Sequence, residues 1–173
     1  MILIPQNAAH WHAIVSHISP ILFMVAAAIM VLATVWKDIR WQRVALGLII
    51  VSVITTAVTF QMGEEAEHLM ETDANEQYIH PHEELAETAR YIVIPFGLLI
   101  LTLWWFTRKH RLLPAWASWG AVVVSLGIVV LLTNVGAAGG KISHPEARPG
   151  WVTGGGQDHD DDDHESDDED DTY

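Results

Sequence analysis

Four stretches without a single charged side chain, 21–36, 44–62, 91–107 and 112–138, leave this chain few ways to fold. Crossing a hydrocarbon core of about 30 Å takes roughly 20 helical residues, and only helices or closed barrels satisfy every backbone polar group in lipid. The pattern therefore predicts an all-α integral membrane bundle of four helices, over about 14–36, 43–71, 82–107 and 112–138. The first and third stretches are short as they stand. Each takes in its N-terminal approach, which brings His17 and Ser19 into the first helix and Glu87 and Arg90 to the edge of the third. Pro20 and Pro95 then lie inside helices, where neighbouring helices can satisfy the freed carbonyls.

The connections carry the orientation. Lys37, Arg40 and Arg43 follow the first span, and Arg108, Lys109 and Arg111 follow the third. By the positive-inside rule both short loops are cytoplasmic, so both termini and the long second loop face the periplasm or extracellular space of a multi-pass inner-membrane protein. Short loops make sequential helices antiparallel neighbours, which predicts an up-down-up-down order. Trp36, Trp41, Trp104, Trp105, Trp116 and Trp119 gather near the cytoplasmic ends, as an interfacial aromatic belt does. No signal-peptide pattern of basic residues and small-residue cleavage site opens the chain, so its N-terminus is expected to be retained.

A formal charge of −13 at first sits oddly with these apolar spans. Half of the 22 acidic residues lie beyond Gln157, in a run that contains no Lys or Arg. The chain thus divides into a membrane domain over 1–150 and a segment over 151–173, where a Gly154–Gly156 hinge precedes an Asp/Glu/His-rich tail. Such a composition cannot bury a core and predicts a disordered, solvating tail, with weak cation binding as the alternative role. No basic patch exists for nucleic acid. The absence of Cys rules out disulfides, thiolate metal sites and covalently attached haem. No nucleophile with a paired base and no phosphate loop is visible, so an enzyme is not expected. A transporter is not expected either, because Ser52, Thr55, Thr56, Thr102 and Ser125, the polar groups within the spans, can all bond to their own helices.

The chemistry-bearing residues collect on the outer side. His10, His12 and His17 lead into the first helix, and Glu64, Glu65, Glu67, His68 and Glu71 continue the second. His80, His82, Glu83, Glu84 and Glu87 lead into the third, and His144 follows the fourth. Glu65 and His68 form a Glu-x-x-His pair on one helical face, with Glu64 close by. Di-iron bundles use that spacing twice, and here it occurs once. In His80-Pro-His82-Glu83-Glu84, Pro81 suits a first helical position and the acids suit the positive end of a helix. An ionisable group inside a membrane helix is a functional candidate by default, which singles out His17. Two facing His would serve b-type haem, with His17 paired to His68 or His82; mixed His and carboxylate would serve a transition metal ion. The candidate cofactor ligands are therefore His17, His68, His82 and His144, and the candidate metal ligands are His17, Glu64, Glu65, His68 and His82. With no His in the cytoplasmic half of the spans, a second bis-His haem is not expected there.

The stretch from His12 to Pro20, the long second helix leaving through Glu64, and the end of the fourth helix, Gly136-Ala-Ala-Gly139-Gly140-Lys141-Ile142-Ser143-His144, resemble an uncharacterised family of bacterial four-helix membrane proteins. That family reads His-Phe-Pro where this chain has His17-Ile18-Ser19-Pro20, and ends in Gly-Gly-x-hydrophobic-x-x-His-Gly where this chain has one residue fewer before His144 and Pro145 in place of the last Gly. The resemblance covers about residues 10–145 and carries over His17 and His144. Relatives fused to Rieske-type domains imply a redox setting. Two expectations follow: a redox-associated protein holding haem b or a transition metal at its outer mouth, near subunits of a membrane redox complex; or a cofactor-free structural or assembly subunit.

Overall fold

The computed structural model describes residues 8–70, 76–108, 111–144, 146 and 148, and every element among them is a helix. The hinge and acidic tail lie outside the described residues. The elements are α1 (Ala8–Ser16), α2 (Ile18–Trp36), α3 (Ile39–Met70), α4 (Glu76–Thr107) and α5 (Ala115–Ser143). Four helical stretches, Trp11–Trp36, Ile39–Glu65, Gln77–Thr107 and Ala115–Ile142, are long and apolar enough to cross a membrane.

The first of these joins α1 to α2 across a single break at His17. Its cause lies three residues on: Pro20 has no amide to offer the carbonyl of Ser16, four residues earlier, and α1 stops at Ser16. The helical approach thus begins near residue 8 rather than 14. At the other end, Lys37 turns into the left-handed region (φ 53°, ψ 41°) and its N–H closes α2 on the Ala33 carbonyl. Asp38 then opens α3, accepting a 2.8 Å hydrogen bond from the Arg40 amide as an N-cap does. α4 starts at Glu76, ahead of the expected 82, so Pro81 lies inside the helix, as Pro95 does, and not at its first position.

Around the bundle, α2 packs against α3 and α5, and α4 packs against the same two, while α3 and α5 face each other across the diagonal. α1 lies on α3. The core is built from Phe23, Ala26 and Met30 of α2, Leu46 and Ile49 of α3, Val93, Phe96 and Ile100 of α4, and Ala121, Val122 and Ile128 of α5. At Gly97 the backbone of α4 lies so close to α3 that a Cβ would come within 2.6 Å of Val53 Cγ1. Large apolar side chains also cover the outside, including Val35, Tyr91, Leu98, Trp105, Trp116, Val123 and Val130. A surface of that kind is suited to lipid and not to water.

Buried polar side chains fasten the helices at two levels. Ser19 Oγ donates to the Ser52 carbonyl at 3.0 Å and meets the Thr56 hydroxyl, tying α2 to α3. Near the opposite end, buried Gln42 accepts from the Leu113 amide at 3.0 Å through Oε1 and donates to Ser118 Oγ at 3.3 Å through Nε2, pinning the start of α5 to α3. Ser52, Thr55, Thr56 and Thr102 each donate to the carbonyl four residues earlier, as their positions suggest. Ser125 differs: its buried hydroxyl has no partner among the described residues. Arg43 lies over Trp104 and Arg108 over Trp105, with the guanidinium 5.8 and 4.2 Å from the ring centres.

Candidate functional site: two histidines seated over glycines

α1 carries His12 two turns before Ser19, so both side chains lie on the face turned toward α3. His12 is half-buried there, and its Nδ1 lies 3.1 Å from the carbonyl oxygen of Thr59. One turn further along α3, the ring rests against Gly63, where a Cβ would stand 3.1 Å from His12 Cε1. On α4, His82 is placed in the same way against α5. Its Nδ1 lies 3.0 Å from the Val135 carbonyl oxygen, and a Cβ on Gly139 would stand 3.0 Å from His82 Cε1.

A backbone carbonyl can only accept, so in each pair Nδ1 carries the hydrogen and donates it. In the neutral imidazole this leaves the lone pair on Nε2, the nitrogen not occupied by the neighbouring helix. Donation of one ring nitrogen to a carbonyl is also how proteins orient a histidine whose other nitrogen binds a metal. Two imidazoles from α1 and α4 are therefore both prepared as nitrogen donors.

The other sequence-derived candidates lie elsewhere. His17 follows His12 by five residues, which turns it about 140° around the helix. Its side chain is exposed and has no partner among the described residues. Glu64 meets Arg90 at 3.4 Å on the surface, and Glu65 is exposed. His68 belongs to α3, but its side chain lies outside the described residues, as does that of His10. His144 is exposed and pairs with Glu146 at 2.9 Å. The Glu146 carboxyl is held below the usual carboxylate range by its own backbone N–H and by His144. Arg148 donates to the Lys141 carbonyl at 2.9 Å and stacks over Tyr78, its guanidinium 4.4 Å from the ring centre, linking the end of α5 to the start of α4. Among the described residues no three His, Asp or Glu side chains come together as a metal-binding group.

Of the candidate ligands, His82 is seated against a neighbouring helix, as His12 also is, while His17 and His144 are exposed. The signal for His12 was present in the apolar period. Counting back from buried Ser19, Phe23 and Ala26 in helical steps reaches residue 12 and passes over 17. No family model, curated protein or solved structure matches the chain.

Proposed function

We propose that this chain is a multi-pass inner-membrane protein, folded up-down-up-down, that holds a redox centre between His12 and His82 on the periplasmic side. The observation that carries the reading is the matched pair of imidazoles, each with Nδ1 committed to a carbonyl and Nε2 left as a donor. Contacts support the helix order: α2 meets α3 at Ser19 and Ser52, α3 meets α4 at Glu64 and Arg90 near one end and at Arg43 and Trp104 near the other. Lys37, Arg40, Arg43, Arg108 and Arg111 lie toward the end opposite the two histidines, and the positive-inside rule makes that end cytoplasmic.

Two imidazoles without a third clustered ligand among the described residues suit b-type haem better than a lone zinc or similar ion, which is normally held by four ligands. His12 and His82 would hold the haem, which would supply one-electron transfer. The protein's own part is to fix both rings: Thr59 and Val135 set the tautomer, and α3 and α5 hold the ring planes. A transition metal ion with further donors is the second candidate for the same pair. Subunits of a membrane redox complex would be the electron partners.

The test is absorption spectroscopy with elemental analysis on detergent-purified protein from haem- and metal-replete cells. A Soret band or stoichiometric metal is expected, lost in His12→Ala and in His82→Ala and retained in His17→Ala. Protein that carries neither group and takes up neither hemin nor metal ions overturns the reading.

A further inference from the structure

The two histidines share more than a function. In each case the carbonyl that receives Nδ1 belongs to the residue four positions before the glycine under the ring: Thr59 before Gly63, and Val135 before Gly139. In each case the atom nearest to a Cβ on that glycine is Cε1 of the histidine, followed by Nδ1. The sequence repeats around both. His12 and His82 each close a His-x-His triplet, His10-Trp-His12 and His80-Pro-His82. Gly63 and Gly139 are each followed five residues later by a histidine, His68 and His144. Each half also carries three basic residues in or near its short turn, Lys37, Arg40 and Arg43 in one, Arg108, Lys109 and Arg111 in the other.

We infer that the bundle is a duplicated helical hairpin whose two halves present equivalent half-sites, His12/Thr59/Gly63 and His82/Val135/Gly139, and that Gly63 and Gly139 are the positioning residues of the two imidazoles. The physical reason is distance. A ring whose Cε1 lies only 3.1 or 3.0 Å from the place of a Cβ can sit this close to the neighbouring helix only because that Cβ is missing. A methyl group there pushes the ring outward by a few tenths of an ångström, lengthening the bond to the carbonyl and moving Nε2. A glycine inside a helix is less favourable than alanine there, so these two positions oppose local helix stability. Gly47, Gly120 and Gly127 have nothing within 4 Å of such a Cβ and show that close approach is confined to particular glycines. Two equivalent donors, one from each half, suit one ligand held from two sides.

This inference rests on the His12/His82 reading for its ligand but not for its geometry, and nitrogen-15 NMR of the histidine rings in the full-length protein in detergent, with nothing added, separates the two. The expected spectrum has two rings protonated at Nδ1. Gly63→Ala shifts the His12 signals and leaves those of His82 in place, Gly139→Ala does the reverse, and Gly47→Ala and Gly120→Ala move neither. The unshifted ring in each variant reports that the bundle is still folded. Hemin titration of the same samples should then show about tenfold weaker binding in either glycine variant, the range seen when partners of a ligating histidine are altered. Rings protonated at Nε2, or ring signals indifferent to both glycine substitutions, would overturn the inference. Rings that behave as expected in protein that binds no hemin or metal would uphold the duplicated half-sites and overturn the ligand.

Discussion

Gln42 is a buried amide that holds two elements in place, and replacing it with leucine tests how the bundle is closed at the end far from the histidines. Leucine keeps most of the volume, so the cavity left behind is small. What disappears is the acceptor of the Leu113 amide, bonded at 3.0 Å, and the donor to Ser118 Oγ at 3.3 Å. A buried N–H left without a partner costs about 1–3 kcal/mol. An interhelical side-chain hydrogen bond inside a membrane protein is worth about 0.6 kcal/mol on average. Together these give a loss of about 1.6–3.6 kcal/mol for Gln42→Leu, or roughly 15- to 400-fold in the folding equilibrium. Ser118→Ala removes only the second bond and should cost no more than about 1 kcal/mol. Reversible unfolding in mixed micelles, followed by tryptophan fluorescence, measures both. A Gln42→Leu variant no less stable than Ser118→Ala would refute the role assigned to the Leu113 amide.

Three further outcomes can be checked by the same unfolding assay. Gly97→Ala places a Cβ 2.6 Å from Val53 Cγ1, and because valine is stiff at χ1 the α3–α4 contact must open, with an expected loss of about 1–3 kcal/mol. Ser125→Ala removes a buried hydroxyl without a partner among the described residues, so it should be neutral or stabilising by about 1 kcal/mol, and a clear loss would reveal a bond to that hydroxyl. Glu64→Gln should leave stability within about 1 kcal/mol, because the Arg90–Glu64 pair is solvent-exposed on both sides.

The helices were legible in the sequence because each apolar run is longer than any alternative use of it allows, and Asp38 and Pro114 stand where α3 and α5 begin. The collection of histidines at one end followed from the same spans. Which histidine faces inward did not follow from depth alone. His17 has the deeper position along the first helix, yet it sits at the break that Pro20 imposes and is exposed. Pro81 was misplaced for a related reason: a proline reads as a helix start, but the turn before it, from Glu76, is also helical. Hydrogen bonds from ring nitrogens to carbonyls of residues as remote as Thr59 and Val135 leave no mark on spacing within one helix. The pairing of each histidine with a glycine is visible only once α1 lies on α3 and α4 on α5.

Whether His12 and His82 together hold one redox centre is read from low-temperature EPR of the oxidised protein after hemin loading. A low-spin ferric signal is expected, converted to high spin or lost in His12→Ala and His82→Ala alike and unchanged in His17→Ala. A low-spin signal that survives both substitutions, or one abolished by His17→Ala, would contradict it.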